Sequence, residues 1–191
     1  MAVPFDQRTD LIWFDGRLIP TADCKINVLT HGLHYASAVF EGERAYGGEI
    51  FKSLEHSERL KRSAQLMDFE IPYSVAEIEA AKRLVLEKNN QRNAYVRPIA
   101  WRGSDQLGVS AQNNKIHLAI ATWEWPSYFD PAQRLKGIRL DLAEFRRPDP
   151  KTAPTLSKAS CLYAVCTISK HRAERRGFDD RTFLEYVEQA E

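Results

Sequence analysis

The chain has 191 residues, of which 43% are hydrophobic and 28% are charged. This composition is typical of a soluble globular protein, and the length suits one sizeable domain or two small ones. The formal net charge of +1 gives no excess that would indicate a nucleic-acid or membrane-surface partner. No apolar run approaches the ~20 residues needed to cross a bilayer. Three cysteines without a CxxC pair favour a reduced, cytoplasmic protein.

Hairpin and helix signals alternate in the first two thirds of the chain. Asp15-Gly16 and Gly47-Gly48 predict tight turns, because such residues tolerate the positive φ values of hairpin loops. Ser74 and Glu77 form a capping-box pattern, which predicts a helix start. Pro98 argues against a central position for its strand, because proline cannot donate to a ladder. The predicted strands are 11–14, 17–19, 39–46, 49–52, 94–101 and 116–123, and the predicted helices are 54–67 and 74–88.

The composition changes after residue 125, where Pro, Ser, Asp and Gln indicate a linker. A three-proline stretch, 146–154, must be a loop, and an amphipathic pattern predicts a long helix over 157–176 that Gly177 stops. Strands are predicted at 137–145 and 183–186. We therefore predict an α+β chain with an N-terminal domain at 1–126, a linker at 127–136 and a second domain at 137–191.

Single residues leave the function open when they are considered alone. His31 and His34 could share a helix face, but no third ligand has an obvious spacing, so hydrogen-bonded structural histidines are favoured over a metal site. Lys158 opens the predicted long helix beside small and apolar residues, where an amine can serve as a nucleophile, although local sequence favours a surface lysine. Arg97 lies in an apolar strand on the same face as Tyr95, and it needs an anionic partner from either the protein or a ligand.

A longer pattern narrows these alternatives. The stretch HGLHYASAVFEGERAY (31–46) resembles the branched-chain amino-acid aminotransferase pattern, in which His-x-Leu-His-Tyr is followed by Val-Phe-Glu-Gly-x-Arg. The resemblance extends over 11–180 through six more blocks in the same order. These are EHSERLKRSA (55–64), NAYVRPIAWRG (93–103), GVSAQNN (108–114), WEWPSYFDP (123–131), RRPDPKTAPTLSKASCLY (146–163) and ISKHRAERRGFDD (168–180).

The resemblance implies a two-domain fold-type IV aminotransferase, similar to D-amino acid aminotransferase, with an incomplete second domain. It implies transfer of the amino group of leucine, isoleucine or valine to 2-oxoglutarate, which yields glutamate and branched-chain 2-oxo acids. The implied cofactor is pyridoxal 5'-phosphate, whose ring stores the electrons released at the substrate Cα. A homodimer is expected, with no metal, nucleic-acid or membrane partner.

The same resemblance implies roles for individual residues. Lys158 matches the lysine that bonds to the cofactor and shuttles the Cα proton, Arg59 matches the arginine that holds the phosphate, and Tyr163 matches the tyrosine at the ring oxygen. Arg97, ahead of Arg44, is the candidate for binding the distal carboxylate of glutamate. The positions around the substrate side chain are Tyr35, Phe40, Tyr95, Trp125 and Tyr128, with Val109 supplied by the neighbouring subunit.

The C-terminal residues depart from the family pattern. Allowing one deletion, Glu191 falls on the glutamate that pairs with the cofactor's pyridine nitrogen, with Glu188 a poorer match, and nothing follows it. The expectation is a truncated aminotransferase that is impaired when alone. Glu43 is a smaller departure, because an aliphatic residue is common there. Alternatives are a D-amino acid aminotransferase or aminodeoxychorismate lyase of the same fold type, or an inactive fragment that acts only as a dimerisation partner.

Overall fold

A computed structural model describes residues 3–125 and 135–184. The chain divides into two compact units, and a short segment of the second half groups with the first unit. The first unit is Met1–Trp125 with Ser157–Ser160, and the second is Pro126–Leu156 with Cys161–Glu191. The predicted linker, 127–136, lies largely outside the described residues, so the domain boundaries stay a prediction. The return of Ser157–Ser160 to the first unit is a feature that the sequence did not indicate.

A seven-stranded antiparallel sheet forms the centre of the described first unit. Its main path is β2-β1-β7-β6-β4-β5, and β3 pairs with β6 beside β4. The strands are β1 (Leu11–Phe14), β2 (Arg17–Pro20), β3 (Ala38–Phe40), β4 (Glu43–Tyr46), β5 (Glu49–Ile50), β6 (Ala94–Arg102) and β7 (Ile116–Glu124). The helices are α1 (His31–His34), α2 (Ser53–Leu66) and α3 (Val75–Lys88).

Both predicted hairpins are confirmed. Asp15 and Gly16 have φ values of 46° and 94°, which match the positive φ that the tight turn requires. The second hairpin joins β4 to β5 through Gly47 and Gly48. The predicted strand 39–46 is wrong in one respect, because it is interrupted after Phe40 and resumes at Glu43.

The position of Pro98 corrects the expectation that its strand would be peripheral. β6 pairs with β7 on one side and with β3 and β4 on the other, so Pro98 lies in a central strand. The Pro98 carbonyl accepts a hydrogen bond from Glu41 N at 2.9 Å. Because the N–H and C=O of a paired residue point to the same neighbour, the missing N–H faces the gap between β3 and β4. Because β3 ends at Phe40 and β4 begins only at Glu43, the sheet needs no hydrogen bond from residue 98 at this point, and proline is tolerated there.

The helices α2 and α3 cover one face of the sheet. The predicted capping box is present: Ser74 Oγ accepts from Glu77 N, and the Glu77 carboxylate accepts from Ser74 N. Burying each large aliphatic side chain here contributes about 1.5–3 kcal/mol. The core between helices and sheet includes Val39, Leu60, Ala64, Ile78, Val85, Val96, Leu118 and Ile120.

The described residues of the second unit include a small parallel sheet and a helix. Strand β8 (Leu140–Leu142) pairs with β9 (Asp180–Thr182), and α4 spans Ala164–Arg175. One prediction is wrong here, because the helix expected from residue 157 begins only at Ala164, after a 3-10 turn at Ser160–Tyr163. The strand predicted at 183–186 lies half outside the described residues; Phe183 and Leu184 follow the end of β9 and are not in a strand. Gly177 ends the helix with a φ of 79°, as predicted.

Candidate active site

The sheet face opposite α2 and α3 carries polar and aromatic side chains. Arg44 pairs across the ladder with Tyr95, and Tyr95 pairs with Trp123. Successive residues of a strand point to opposite faces, so these three side chains share one face while the core residues occupy the other. The Tyr95 ring stacks on Trp123 with centroids 4.8 Å apart and lies 5.1 Å from Trp125. The result is an aromatic surface of the kind that suits an apolar substrate group.

Arg97 lies within this aromatic surface. Its guanidinium carbon is 4.7 Å from the Phe40 ring centroid and 5.1 Å from that of Tyr95, and Nη2 donates to Tyr95 Oη at 2.9 Å. Within the described parts of the chain the structure pairs Arg97 with no carboxylate, and its buried Nε has no hydrogen-bond partner. The internal ion pair that the sequence left open is therefore not observed among these residues, and the arrangement suits an anionic ligand. Arg44 differs, because its Nη2 donates to the Trp125 carbonyl at 3.1 Å.

Gly42 allows Tyr95 to reach this position. A Cβ atom on Gly42 would lie 1.9 Å from Tyr95 Oη and 2.9 Å from its Cζ. We expect Gly42→Ala to lower the free energy of unfolding by about 1–3 kcal/mol, because the stacked ring must move. Urea unfolding followed by tryptophan fluorescence measures the change.

Gly108→Ala is the control for the Gly42 substitution, because a Cβ there meets its nearest atom, the Ser110 carbonyl oxygen, at 3.5 Å. Equal stability of the two variants would contradict the proposed clash.

Lys158 lies in an extended segment beside β3. Phe40 N donates to the Lys158 carbonyl at 3.2 Å, and Ala159 forms an antiparallel bridge with Val39. The Lys158 amine lies 5.0 Å from the Phe40 ring centroid. The prediction that Lys158 opens a helix is therefore wrong, because strand pairing with β3 determines the local backbone. Phe40 contacts both Lys158 and Arg97, which brings two of the predicted site residues together.

Arg59 is held by a buried carboxylate that the sequence did not single out. Arg59 Nε and Nη2 each donate to Glu41 at 2.6 Å, and His56 Nδ1 lies 2.9 Å from the same carboxylate. Glu41 is fully buried, whereas the Arg59 side chain is 44% exposed. Burial alone would raise the pKa of Glu41, but the hydrogen bonds from Arg59 and His56 outweigh it and hold the pKa below its ordinary value. The available signal was the place of Glu41 in the predicted strand 39–46, where the period of two puts it on the same face as Val39.

The remaining predicted residues lie elsewhere or cannot be placed. The Tyr35 ring stacks on His31, and its hydroxyl donates to the Leu107 carbonyl at 3.4 Å. Val109 is 84% exposed. Tyr163 belongs to the second unit, where it ends the 3-10 turn Ser160–Tyr163. Two further predictions, Tyr128 and Glu191, fall outside the described residues.

Both histidines of α1 are hydrogen-bonded, as the favoured interpretation predicted. His31 Nδ1 lies 2.6 Å from Ser37 Oγ and its Nε2 lies 3.0 Å from the Gly108 carbonyl oxygen. His34 Nε2 lies 2.9 Å from the Val28 carbonyl oxygen. Among residues 3–125 and 135–184, no group of three or more His, Cys, Asp or Glu side chains is placed to hold a metal ion. The same residues include no helix long and apolar enough to cross a membrane.

The fold and this face of the sheet agree with comparisons to known proteins. The chain matches the family Amino-transferase class IV over residues 38–186 and belongs to that family. Its fold is the fold-type IV aminotransferase fold. It is 41% identical over 175 residues to a "Probable branched-chain-amino-acid aminotransferase" of Rickettsia felis, covering 92% of this chain and 59% of that protein.

Solved structures of branched-chain amino acid aminotransferases have the same fold. A branched-chain amino acid aminotransferase of T.th., crystallised with pyridoxamine 5'-phosphate, superposes with a TM-score of 0.89 at 34% identity, covering 93% of this chain and 60% of that one. The same T.th. enzyme complexed with N-(5'-phosphopyridoxyl)-L-glutamate gives a TM-score of 0.86 at 35% identity, with coverages of 93% and 59%. The chain thus spans about 60% of the length of these relatives.

Proposed function

We propose that this chain carries part of the active site of a branched-chain amino-acid transaminase that uses pyridoxal 5'-phosphate. The observation that supports it most is the pairing of Lys158 and Arg97 around one aromatic ring, that of Phe40. An aldehyde cofactor needs a primary amine, which Lys158 supplies. An anionic substrate needs a cation such as the Arg97 guanidinium, which no described carboxylate pairs. The relatives named as branched-chain aminotransferases favour this substrate class over D-amino acids or aminodeoxychorismate.

The residues present fit the cofactor. The Lys158 amine is the attachment point, and the Arg59 guanidinium, oriented by its two hydrogen bonds to Glu41, is the proposed phosphate ligand. Pyridoxal phosphate, when bound, supplies an aldehyde that bonds to an amine and a ring that accepts electrons. Once the substrate amine has displaced it, the freed Lys158 Nζ would take the proton from the substrate Cα and hold it for the next step of the amino transfer. Tyr163 and Glu191 remain proposed cofactor contacts.

Substrate recognition is proposed to use the aromatic face of the sheet. Phe40, Tyr95 and Trp125 would pack against a branched aliphatic side chain, which gains from apolar burial. Arg97 would bind the distal carboxylate when glutamate is the amino donor. Support comes from the relative whose complex contains a phosphopyridoxyl-glutamate. Tyr35, Arg44, Tyr128 and Val109 remain proposed substrate neighbours.

Substitution of Arg97 tests this assignment. We expect Arg97→Gln to lower the rate of amino transfer from glutamate by roughly 100-fold, because a charge-assisted contact worth about 3 kcal/mol is lost, while leucine changes little. Single-turnover absorbance of the cofactor with each amino acid separates the two effects. Arg92→Gln is the control, because Arg92 is exposed and donates to the Gly47 carbonyl at the β4–β5 turn, away from the proposed substrate contacts. Equal losses for leucine and glutamate in Arg97→Gln would contradict the assignment.

A second copy of this chain is the proposed protein partner. Apolar side chains of residues 26–33 and 107–109 are exposed, including Val28 at 73%, Leu33 at 60% and Val109 at 84%. Exposed apolar clusters of this kind mark protein interfaces. Sedimentation equilibrium at micromolar concentration should give the mass of a dimer, and a monomer would contradict this part of the proposal.

The three free cysteines fit a reducing cytoplasm as the proposed location.

A further inference from the structure

The backbone around Lys158 is fixed from the helix side by one residue, Ser63. The strap, defined as Ser157–Ser160, groups with the first unit and runs beside α2. Lys158 N donates to Ser63 Oγ at 3.0 Å, and Ser157 Oγ donates to the Ser63 carbonyl at 2.9 Å. Ser63 is only 1% exposed, so water does not compete for these bonds. One serine therefore contacts the strap through both its side chain and its main chain.

The Ser63 hydroxyl has an unusual partner for a residue within a helix. A serine in mid-helix commonly bonds to the carbonyl four residues earlier or to water. Here the hydroxyl oxygen accepts the amide of a residue 95 positions away in the sequence. On the other side of the strap, Phe40 N donates to the Lys158 carbonyl at 3.2 Å. The peptide groups of Lys158 are thus held between α2 and β3.

We infer that Ser63 is a positioning residue that sets the direction in which Lys158 presents its amine toward the Phe40 ring. The inference rests on the proposed function, because it takes Lys158 in the strap to be the residue that attaches the cofactor. Removing the hydroxyl leaves the Lys158 amide without its acceptor in a largely buried place, and the strap can then shift. A shift of the backbone moves the amine relative to the sheet face that carries Arg97.

Two buried serines of α2 allow a matched experiment. Ser57 is also 1% exposed, but its hydroxyl donates at 2.6 Å to Glu79 of α3 rather than to the strap. In the cofactor-free chain, we expect Ser63→Ala to speed hydrogen–deuterium exchange in the peptide that contains Lys158 by about tenfold relative to Ser57→Ala. That factor corresponds to about 1.4 kcal/mol for one lost hydrogen bond. Ser63→Thr, which keeps the hydroxyl, should restore slow exchange.

The second readout is attachment of the cofactor. Borohydride reduction after adding pyridoxal phosphate, followed by peptide mass analysis, measures the fraction bonded to Lys158. We expect half-maximal attachment in Ser63→Ala at about tenfold higher pyridoxal phosphate than in Ser57→Ala. If the unsubstituted chain attaches the cofactor and the two variants do not differ, the positioning role of Ser63 is overturned and the proposed function stands. Absence of attachment in the unsubstituted chain would overturn the proposed function and this inference together.

Discussion

Glu41→Gln is expected to lower the free energy of unfolding of the first unit by about 3 kcal/mol. The fully buried carboxylate accepts two hydrogen bonds from Arg59 and contacts His56, and an amide cannot accept both guanidinium donors as an anion does. All four tryptophans lie in Met1–Trp125, so urea unfolding followed by tryptophan fluorescence reports on this unit.

The pH dependence of this loss has a defined sign. The folded-state pKa of Glu41 is lowered, so its contribution is present above the unfolded value of about 4.5 and is lost as pH falls through the folded pKa. The difference between the unsubstituted chain and Glu41→Gln should therefore shrink in acid. Glu55→Gln is the control, because Glu55 pairs with Lys52 at the exposed surface and should matter little. A stability difference that stays constant down to the lowest pH would contradict the role of the Glu41 charge.

A second buried network consists of Lys82, Glu43 and Glu79. Substituting two of its members together is expected to change the free energy of unfolding by much less than the sum of the single changes. Lys82 is fully buried and pairs with Glu43 at 2.8 Å and Glu79 at 2.7 Å. Glu43 is also fully buried, and its second oxygen has no hydrogen-bond partner in the described residues. Removing one member of a buried ion pair leaves an uncompensated charge, whereas replacing both with apolar groups can be neutral or stabilising.

We therefore expect Lys82→Met to destabilise the first unit by about 3–5 kcal/mol. The double variant Glu43→Val with Lys82→Met should recover most of that loss, because the carboxylate that would be stranded is gone. Glu79 keeps its hydrogen bond from Ser57 in both variants. Urea unfolding of the two single variants and the double variant, at a pH above the Glu43 pKa of about 7 where this carboxylate is ionised, gives the coupling energy. Additive losses would show that Glu43 and Lys82 do not stabilise each other.

The pH profile gives an independent check on Glu43. Burial raises the pKa of Glu43 to about 7, and the nearby Lys82 opposes this rise without cancelling it. The folded chain then holds this proton more tightly than the unfolded chain, so the contribution of Glu43 to stability is greatest below about 4.5 and is lost as pH rises through about 7. The double variant Glu43→Val with Lys82→Met should lack this pH-dependent part of the free energy of unfolding. An unchanged profile between pH 5 and 7 would contradict the raised pKa.

Local patterns predicted most of the elements of the first unit. Asp15-Gly16 and the Ser74 capping box specify their turn and helix start through bonds within a few residues, so the sequence contains the whole cause. The aromatic face could also be predicted from the alternation along β6, which placed Tyr95 and Arg97 together. These features depend on short-range geometry and the period of the strand.

Contacts between distant residues account for what the sequence did not reveal. The amphipathic pattern from residue 157 predicts a helix, but pairing with Val39 and Ser63 draws Lys158 and Ala159 into an extended segment. Glutamate is usually exposed in folded proteins, yet Glu41 is buried because Arg59, 18 residues away, neutralises it. Such partners are known only when the fold is known, and tertiary contacts override the local preference.

The central claim is that Lys158 is the attachment point for pyridoxal phosphate. The most direct test is the absorbance spectrum of the purified chain after pyridoxal phosphate is added and the unbound cofactor is dialysed away. Lys158→Ala is the test variant. We predict a retained visible band in the unsubstituted chain and none in Lys158→Ala. A band that persists in Lys158→Ala, or no band in either protein, would contradict the assignment.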